Sequence, residues 1–246
     1  MPKKDIYKES IFFQIQSEGS AEEVWYSQII TLPMLKEAYW HGIFPWPSDE
    51  RHLIPWVRPE ERGMVLLSDF HIPHMVRREL KKKICEVKID TDFESVIRNC
   101  AQRNNGESTW ITDAVINAYI EFHQAGWAHS VEVWNPETGK LAGGLYGVSL
   151  GGVFAGESMF YRESGASKIA LAALGLTLKR CGVQLLDTQM VTPVTALFGA
   201  QVCRGTDYLA GLQKYRGEPL SAASLRAALE QVRAGLNSKC PDFPSV

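Results

Sequence analysis

Three stretches of this chain carry side chains whose types and spacing could do chemistry. In FAGESMFY, Glu157 follows a glycine and precedes Met159, Phe160 and Tyr161. A carboxylate among apolar and aromatic groups must find a partner or neutralise. Farther on, Asp187 and Gln189 stand two apart in LLDTQM, a spacing that puts both side chains on one face of a strand. Asp187 can accept hydrogen bonds or a proton, whereas the very weakly basic amide of Gln189 can orient a partner but not deprotonate it alone. The third stretch is HMVRRELKKK at 74–83, where Arg77, Arg78, Lys81, Lys82 and Lys83 place five cations within seven residues. Such a run is either a solvated helix end or a surface for phosphates.

The elements that must position these groups are legible from pattern. Leu145–Ser149 and Val153–Gly156 read as paired strands joined at Gly151-Gly152, with Glu157 leaving the second one. ASKIALAALGLTLKRCG is apolar nearly all round and reads as a well-buried helix before the LLDTQM strand. Upstream, MVLLSDF, the basic helix and CEVKID give strand, helix, strand. Asp92 (or Thr91) caps a helix over DFESVIRNCAQR, and Thr112 or Asp113 caps another over DAVINAYIEFHQAG. A hairpin over 129–134 and 141–148 follows, turning at 135–139. The order β-α-β-α-α-β-β-β-α-β predicts a mixed sheet, mainly antiparallel at its centre, flanked by helices.

Ahead of this lies a smaller unit. Thr31 and Pro33 open a helix that Gly42 stops, and IFPWPSDERHLIPWVRP then holds four prolines and two tryptophans in seventeen residues. Proline keeps its predecessor extended, so Trp46 and Trp56 sit on a rigid segment, as a packed junction, a stacking surface or both. The expected division is residues 1–60 as a small N-terminal α/β domain and 61–246 as the catalytic domain.

Composition narrows the class. The chain has 246 residues, 45% hydrophobic and 22% charged, as in a soluble globular protein. It has no run of 18 apolar residues and no export signal. A net charge of −2 argues against a protein that coats nucleic acid, though not against a local basic patch. Five cysteines without CxxC spacing read as thiols in a reducing compartment. No P-loop or helix-opening GxGxxG is present, and no His/Cys/Asp cluster has metal-ligand spacing.

Read together, GIFPWP at 42–47, TWI at 109–111, HSVEVW at 129–134, GGLYGV at 143–148, FAGESMF at 154–160, ASK at 166–168 and LLDTQ at 185–189 resemble the leucyl/phenylalanyl-tRNA–protein transferases. The resemblance runs over roughly residues 32–213. It implies the α+β fold shared with N-acetyltransferases, here without CoA, and needs no cofactor or metal because the aminoacyl ester is already activated. The implied activity is cytoplasmic transfer of Leu or Phe (and Met) from aminoacyl-tRNA to proteins with N-terminal Arg or Lys, marking them for degradation; apart from the resemblance, a monomer is expected. It implies Asp187 and Gln189 as the catalytic pair and Glu157 as the holder of the donor α-amino group. Trp46 and Trp110 would surround the terminal adenosine, Met159 and Phe160 are candidates for an apolar donor slot, and Arg77, Arg78 and Lys81–Lys83 would meet tRNA phosphates.

Two stretches depart from the family pattern. YSQIITLP at 26–33 stands in place of a GGDLSP-like run, and Thr192-Pro193-Val194 stands in place of an Asn-Asp-His run. The same fold with a changed acceptor, an acidic N-terminus or a small amine, and a tRNA-binding protein without turnover therefore stand as alternatives.

Overall fold

The computed structural model describes residues 23–46, 54–81, 85–102 and 111–237. In the N-terminal part, β1 (Glu23–Ser27) is followed by α1 (Leu32–Trp40), whose N-cap Thr31 accepts the Met34 N–H and whose first turn holds Pro33. The helix stops at His41, and Gly42 turns the chain with φ +73°. β2 (Phe44–Pro45) and β3 (Ile54–Arg58) complete a three-stranded sheet of order β1-β3-β2. Trp56 is fully buried there, its indole N–H donating to Ser27 Oγ at 2.8 Å, so this tryptophan belongs to the core.

The second sheet has seven strands: β4 (Glu61–Leu66), β5 (Glu86–Ile89), β6 (Ala128–Asn135), β7 (Lys140–Leu150), β8 (Val153–Tyr161), β9 (Leu185–Gln189) and β10 (Gln201–Arg204), in the order β10-β4-β9-β8-β7-β6-β5. Every neighbouring pair is antiparallel except β8 and β9. Those two are joined by a crossover helix, as parallel neighbours must be. The sequence placed the exit from the second hairpin strand at Gly156. The strand instead runs on to Tyr161, and its pairing shifts where Gly147 faces Gly156 and Tyr146 faces Ser158, which makes Glu157 the extra residue of a bulge.

Helices cover both faces. On one side α3 (Phe93–Cys100), α4 (Asp113–Gln124) and α7 (Gly205–Tyr215) join α1 and the small sheet in a core that includes Tyr39, Phe44, Trp56, Tyr119, Tyr146, Phe160 and Tyr208. On the other, α2 (His74–Lys81), the crossover helix α5 (Ala166–Arg180) and α8 (Ala222–Asn237) pack over Phe70, Leu145, Phe154, Leu174 and Leu225. A short helix, α6 (Pro193–Ala196), follows β9. Asp92 and Thr112 cap α3 and α4 through their side chains, as their positions suggested.

Candidate active site in a split sheet

β8 and β9 pair only through Val153–Leu185, Phe154–Leu186 and Ala155–Asp187. Beyond that point β8 continues for six residues while β9 turns away, and burial falls where the strands part: Val153–Ala155 are buried, Gly156–Met159 only partly. The turn is built into the backbone. Gln189 has φ +59°, a left-handed conformation that costs a non-glycine residue on the order of 1–3 kcal/mol and collects at functional sites. Gly63 on β4 makes room for it, since a Cβ there would lie 2.5 Å from the Met190 carbonyl carbon. A cavity of about 180 Å³ opens in the split. Leu145, Met159, Leu171, Leu174, Leu186 and Met190 supply apolar walls, and Glu157 and Gln189 are among its polar lining with Thr192 and Thr195.

Glu157 is held by neutral donors. Gln189 Nε2 donates to Oε1 at 2.8 Å and the Tyr119 hydroxyl to Oε2 at 3.2 Å. Tyr119 is in turn hydrogen-bonded to the hydroxyl of Tyr39, from α1. Burial pushes the Glu157 carboxyl up to about 7, aided by the negative charge of Asp187 and opposed by hydrogen bonds from Tyr39, Gln189 and Tyr119. In its ionised form the Glu157 carboxyl only accepts, and its contact with Nε2 then leaves Oε1 as the end of the Gln189 amide that meets a ligand.

Asp187, one strand over, has no exposed surface. Arg62 clasps it with Nε to Oδ1 at 2.8 Å and Nη2 to Oδ2 at 2.6 Å, Tyr208 donates to Oδ2 at 2.8 Å, and the Gln189 main-chain N–H donates to Oδ1 at 2.8 Å. Arg62 is 1% exposed, lies 4.2 Å from the Phe44 ring centre and 4.5 Å from that of Tyr208, and donates through Nη1 to the Gly42 carbonyl. Burial works against its charge, but the Asp187 carboxylate, Tyr208 and Glu157 together outweigh that and raise the guanidinium pKa. The Asp187 expected to take a proton is therefore walled in, four donors already filling its two oxygens.

Comparison with known proteins shows the family of the chain. Residues 64–213 match the family model described as leucyl/phenylalanyl-tRNA protein transferase, and residues 29–60 match the model of that family's N-terminal domain. Among curated relatives, the leucyl/phenylalanyl-tRNA--protein transferase of Oleidesulfovibrio alaskensis is 43% identical over 198 residues, 78% of this chain and 79% of that protein. The Salinibacter ruber protein of the same name is 46% identical over 170 residues, 69% of this chain and 73% of its own. That of Chlorobaculum tepidum is 40% identical over 194 residues, 78% of this chain and 99% of its own.

The chain belongs to the leucyl/phenylalanyl-tRNA protein transferase family. It is an aminoacyltransferase, moving an amino acid from tRNA to protein. Among solved structures, a GCN5-related N-acetyltransferase from Sphaerobacter thermophilus overlaps 75% of this chain and 58% of its own at 12% identity and TM-score 0.40. FemX overlaps 70% and 66% at 10% identity and TM-score 0.45.

Within this transferase only some of the residues singled out from sequence come together. Glu157, Asp187 and Gln189 come together, with Gln189 bonded to both carboxylates. Of the two slot candidates, Met159 lines the cavity and Phe160 packs into the opposite core, because successive strand residues face opposite ways. Trp46 is half-buried, edge-on to Phe44 at 5.6 Å, with its main-chain N–H donating to the Pro55 carbonyl. Arg77 and Arg78 lie on α2, which packs on α5, the helix that supplies Leu171 and Leu174 to the cavity. Trp110, Lys82 and Lys83 lie outside the described residues, as does the side chain of Lys81.

At the stretch read as departing from the family, Thr192 and Thr195 form a reciprocal capping box at the start of α6, and both line the cavity. Pattern in the sequence did not single out Arg62, Tyr208, Tyr119 or Tyr39. Tyrosines at helical spacing look like core, and only the fold turns the hydroxyls of Tyr119 and Tyr39 toward Glu157 and that of Tyr208 onto Asp187. Alternation gives no signal for Arg62 either, since burial along β4 does not alternate and its register shifts between Gly63 and Met64.

Proposed function

We propose that the enzyme transfers Leu, Phe or Met from aminoacyl-tRNA to the α-amine of proteins and peptides beginning with Arg or Lys, tagging them in the cytoplasm for degradation. The observation that carries this reading is the cavity in the split sheet, apolar along its depth and lined by Glu157 and Gln189 on its polar side. At about 180 Å³ it exceeds the roughly 150 Å³ of an apolar cavity known to admit benzene, so it accommodates a phenyl, isobutyl or thioether side chain. Branching at Cβ would broaden the side chain where it enters between the strands, which disfavours Ile and Val.

With the side chain seated there, Glu157 receives the donor α-ammonium through a charge-assisted hydrogen bond. Gln189 Oε1 accepts from the incoming amine and turns its lone pair toward the ester carbonyl. The amine nitrogen forms a bond to that carbon, the bond to the ribose 3′ oxygen breaks, and the proton lost by the amine ends on that oxygen, leaving a peptide bond and uncharged tRNA. Orientation of this kind can contribute up to roughly 7–11 kcal/mol. A free α-amine, with pKa near 8, loses only about a kcal/mol in becoming neutral at pH 7. Trp46 and Trp110 would stack on the terminal adenosine, and the cations of 77–83 would follow the acceptor-stem phosphates.

The test is transfer from Leu-, Phe-, Met-, Ile- and Val-tRNA to peptides beginning with Arg, Lys, Asp or Glu, followed by mass spectrometry of the peptide. The expected products are the Leu, Phe and Met adducts of the Arg and Lys peptides. Adducts of Asp and Glu peptides alone, or tight Leu-tRNA binding with no adduct, would replace this reading with a changed acceptor or a binding protein.

A further inference from the structure

The geometry points to Arg62 as a positioning residue for transfer: it fixes Asp187, Asp187 fixes the backbone of Gln189, and that backbone aims the Gln189 amide at the attacking amine. This rests on the proposed function, since it takes Gln189 as the group that meets the acceptor.

Three observations support it. The Gln189 main chain is in a left-handed conformation uncommon for its residue type, and its N–H is tied at 2.8 Å to Asp187 Oδ1. Asp187 cannot swing, because the Arg62 fork and the Tyr208 hydroxyl occupy the rest of its acceptor capacity. Arg62 cannot swing either, being sandwiched between Phe44 and Tyr208 and bonded to the Gly42 carbonyl. Gly42 and Phe44 belong to the segment that carries Trp46. One guanidinium therefore ties the tryptophan segment to the strand that presents Gln189, holding two parts of the site in register. In this arrangement Asp187 is an acceptor for the main chain and receives no proton from the amine.

The experiment is a rescue. Asp187→Asn turns an amide N–H₂ toward the donors of Arg62 and leaves a buried cation without its counter-charge, so kcat falls by about a hundredfold or more. Adding Arg62→Gln makes the pair neutral, while the amide oxygen now at 187 can still accept the Gln189 N–H. The double variant R62Q/D187N is expected to recover kcat at least about tenfold over D187N, with KM for Leu-tRNA within about threefold of wild type in both. If Asp187 must take a proton, no neutral pair recovers activity. A folded double variant no faster than D187N overturns the inference.

Should the double variant fail to fold, Arg62→Lys tests the same link, keeping the charge and removing the two-point fork. It should lower kcat roughly threefold at unchanged KM, and an unchanged kcat overturns the inference. A wild-type protein that transfers nothing to any peptide fails the proposed function itself. Normal wild-type transfer without rescue fails only the role of Arg62.

Discussion

On β8 the carboxylate of Glu157 stands at a cavity wall, half-buried and held by neutral donors; on β9 Asp187 has no exposed surface and receives a guanidinium fork, a phenol and a main-chain N–H. Both are acids in one split sheet, linked through Gln189. Burial raises a carboxyl whose partners are neutral, whereas a buried acid clasped by an arginine is committed to that partner. Glu157 thus keeps capacity for a cation brought by a ligand, and Asp187 has its capacity filled by the protein. A site needs both: one group that answers to the substrate, and one that keeps the answering groups in place.

The largest effect should come from breaking the closed side of this pair. Asp187→Ala strands Arg62, which costs about 3–5 kcal/mol and lowers Tm by roughly 10 °C. Its kcat for Leu transfer falls by at least about a hundredfold, as measured by thermal melts and single-turnover transfer. On the open side, Glu157→Gln removes the charge that meets the donor ammonium and raises KM for Leu-tRNA about 10–100-fold. Its stability moves the opposite way. The carboxyl titrates near 4.5 when unfolded and about 7 when folded, so folding takes up protons in that interval and wild-type stability declines as pH rises from 4.5 through 7. The variant should therefore melt above wild type at pH 8, with the gap closing below about pH 4.5.

Smaller effects sharpen the contrast between cavity and platform. Leu174→Phe partly fills the cavity and should raise KM for Phe-tRNA more than for Leu-tRNA, by about tenfold. Trp46→Ala should weaken both donors alike, by about 1–3 kcal/mol. Smallest of all, Arg78→Glu should leave kcat unchanged and lower the salt slope of donor KM by roughly one unit; an unchanged slope makes α2 an ordinary surface.

Much of this was written in the chain order. The two hairpins, the caps Thr31, Asp92 and Thr112, and the buried crossover helix follow from period and capping chemistry, which act over a few residues. Glu157 and the Asp187–Gln189 pair announced themselves as polar groups in apolar strands. What stayed hidden depends on contacts distant in sequence. Arg62 meets Asp187 across 125 residues and Tyr119 meets Glu157 across 38, and no local pattern encodes either. The bulge at Glu157 and the left-handed Gln189 escaped because strand alternation assumes regular backbone, and both departures arise where β8 and β9 part. Met159 and Phe160 looked equivalent until the register assigned them to opposite faces.

The division of labour between the two acids is tested most directly by the affinity of stable 3′-amide analogues: leucylamido-adenosine, and the same molecule lacking the α-amino group. Wild type should prefer the amino compound by at least about tenfold, Glu157→Gln should erase that preference, and Asp187→Asn should retain it. A preference that survives in Glu157→Gln, or that disappears in Asp187→Asn instead, would contradict the account.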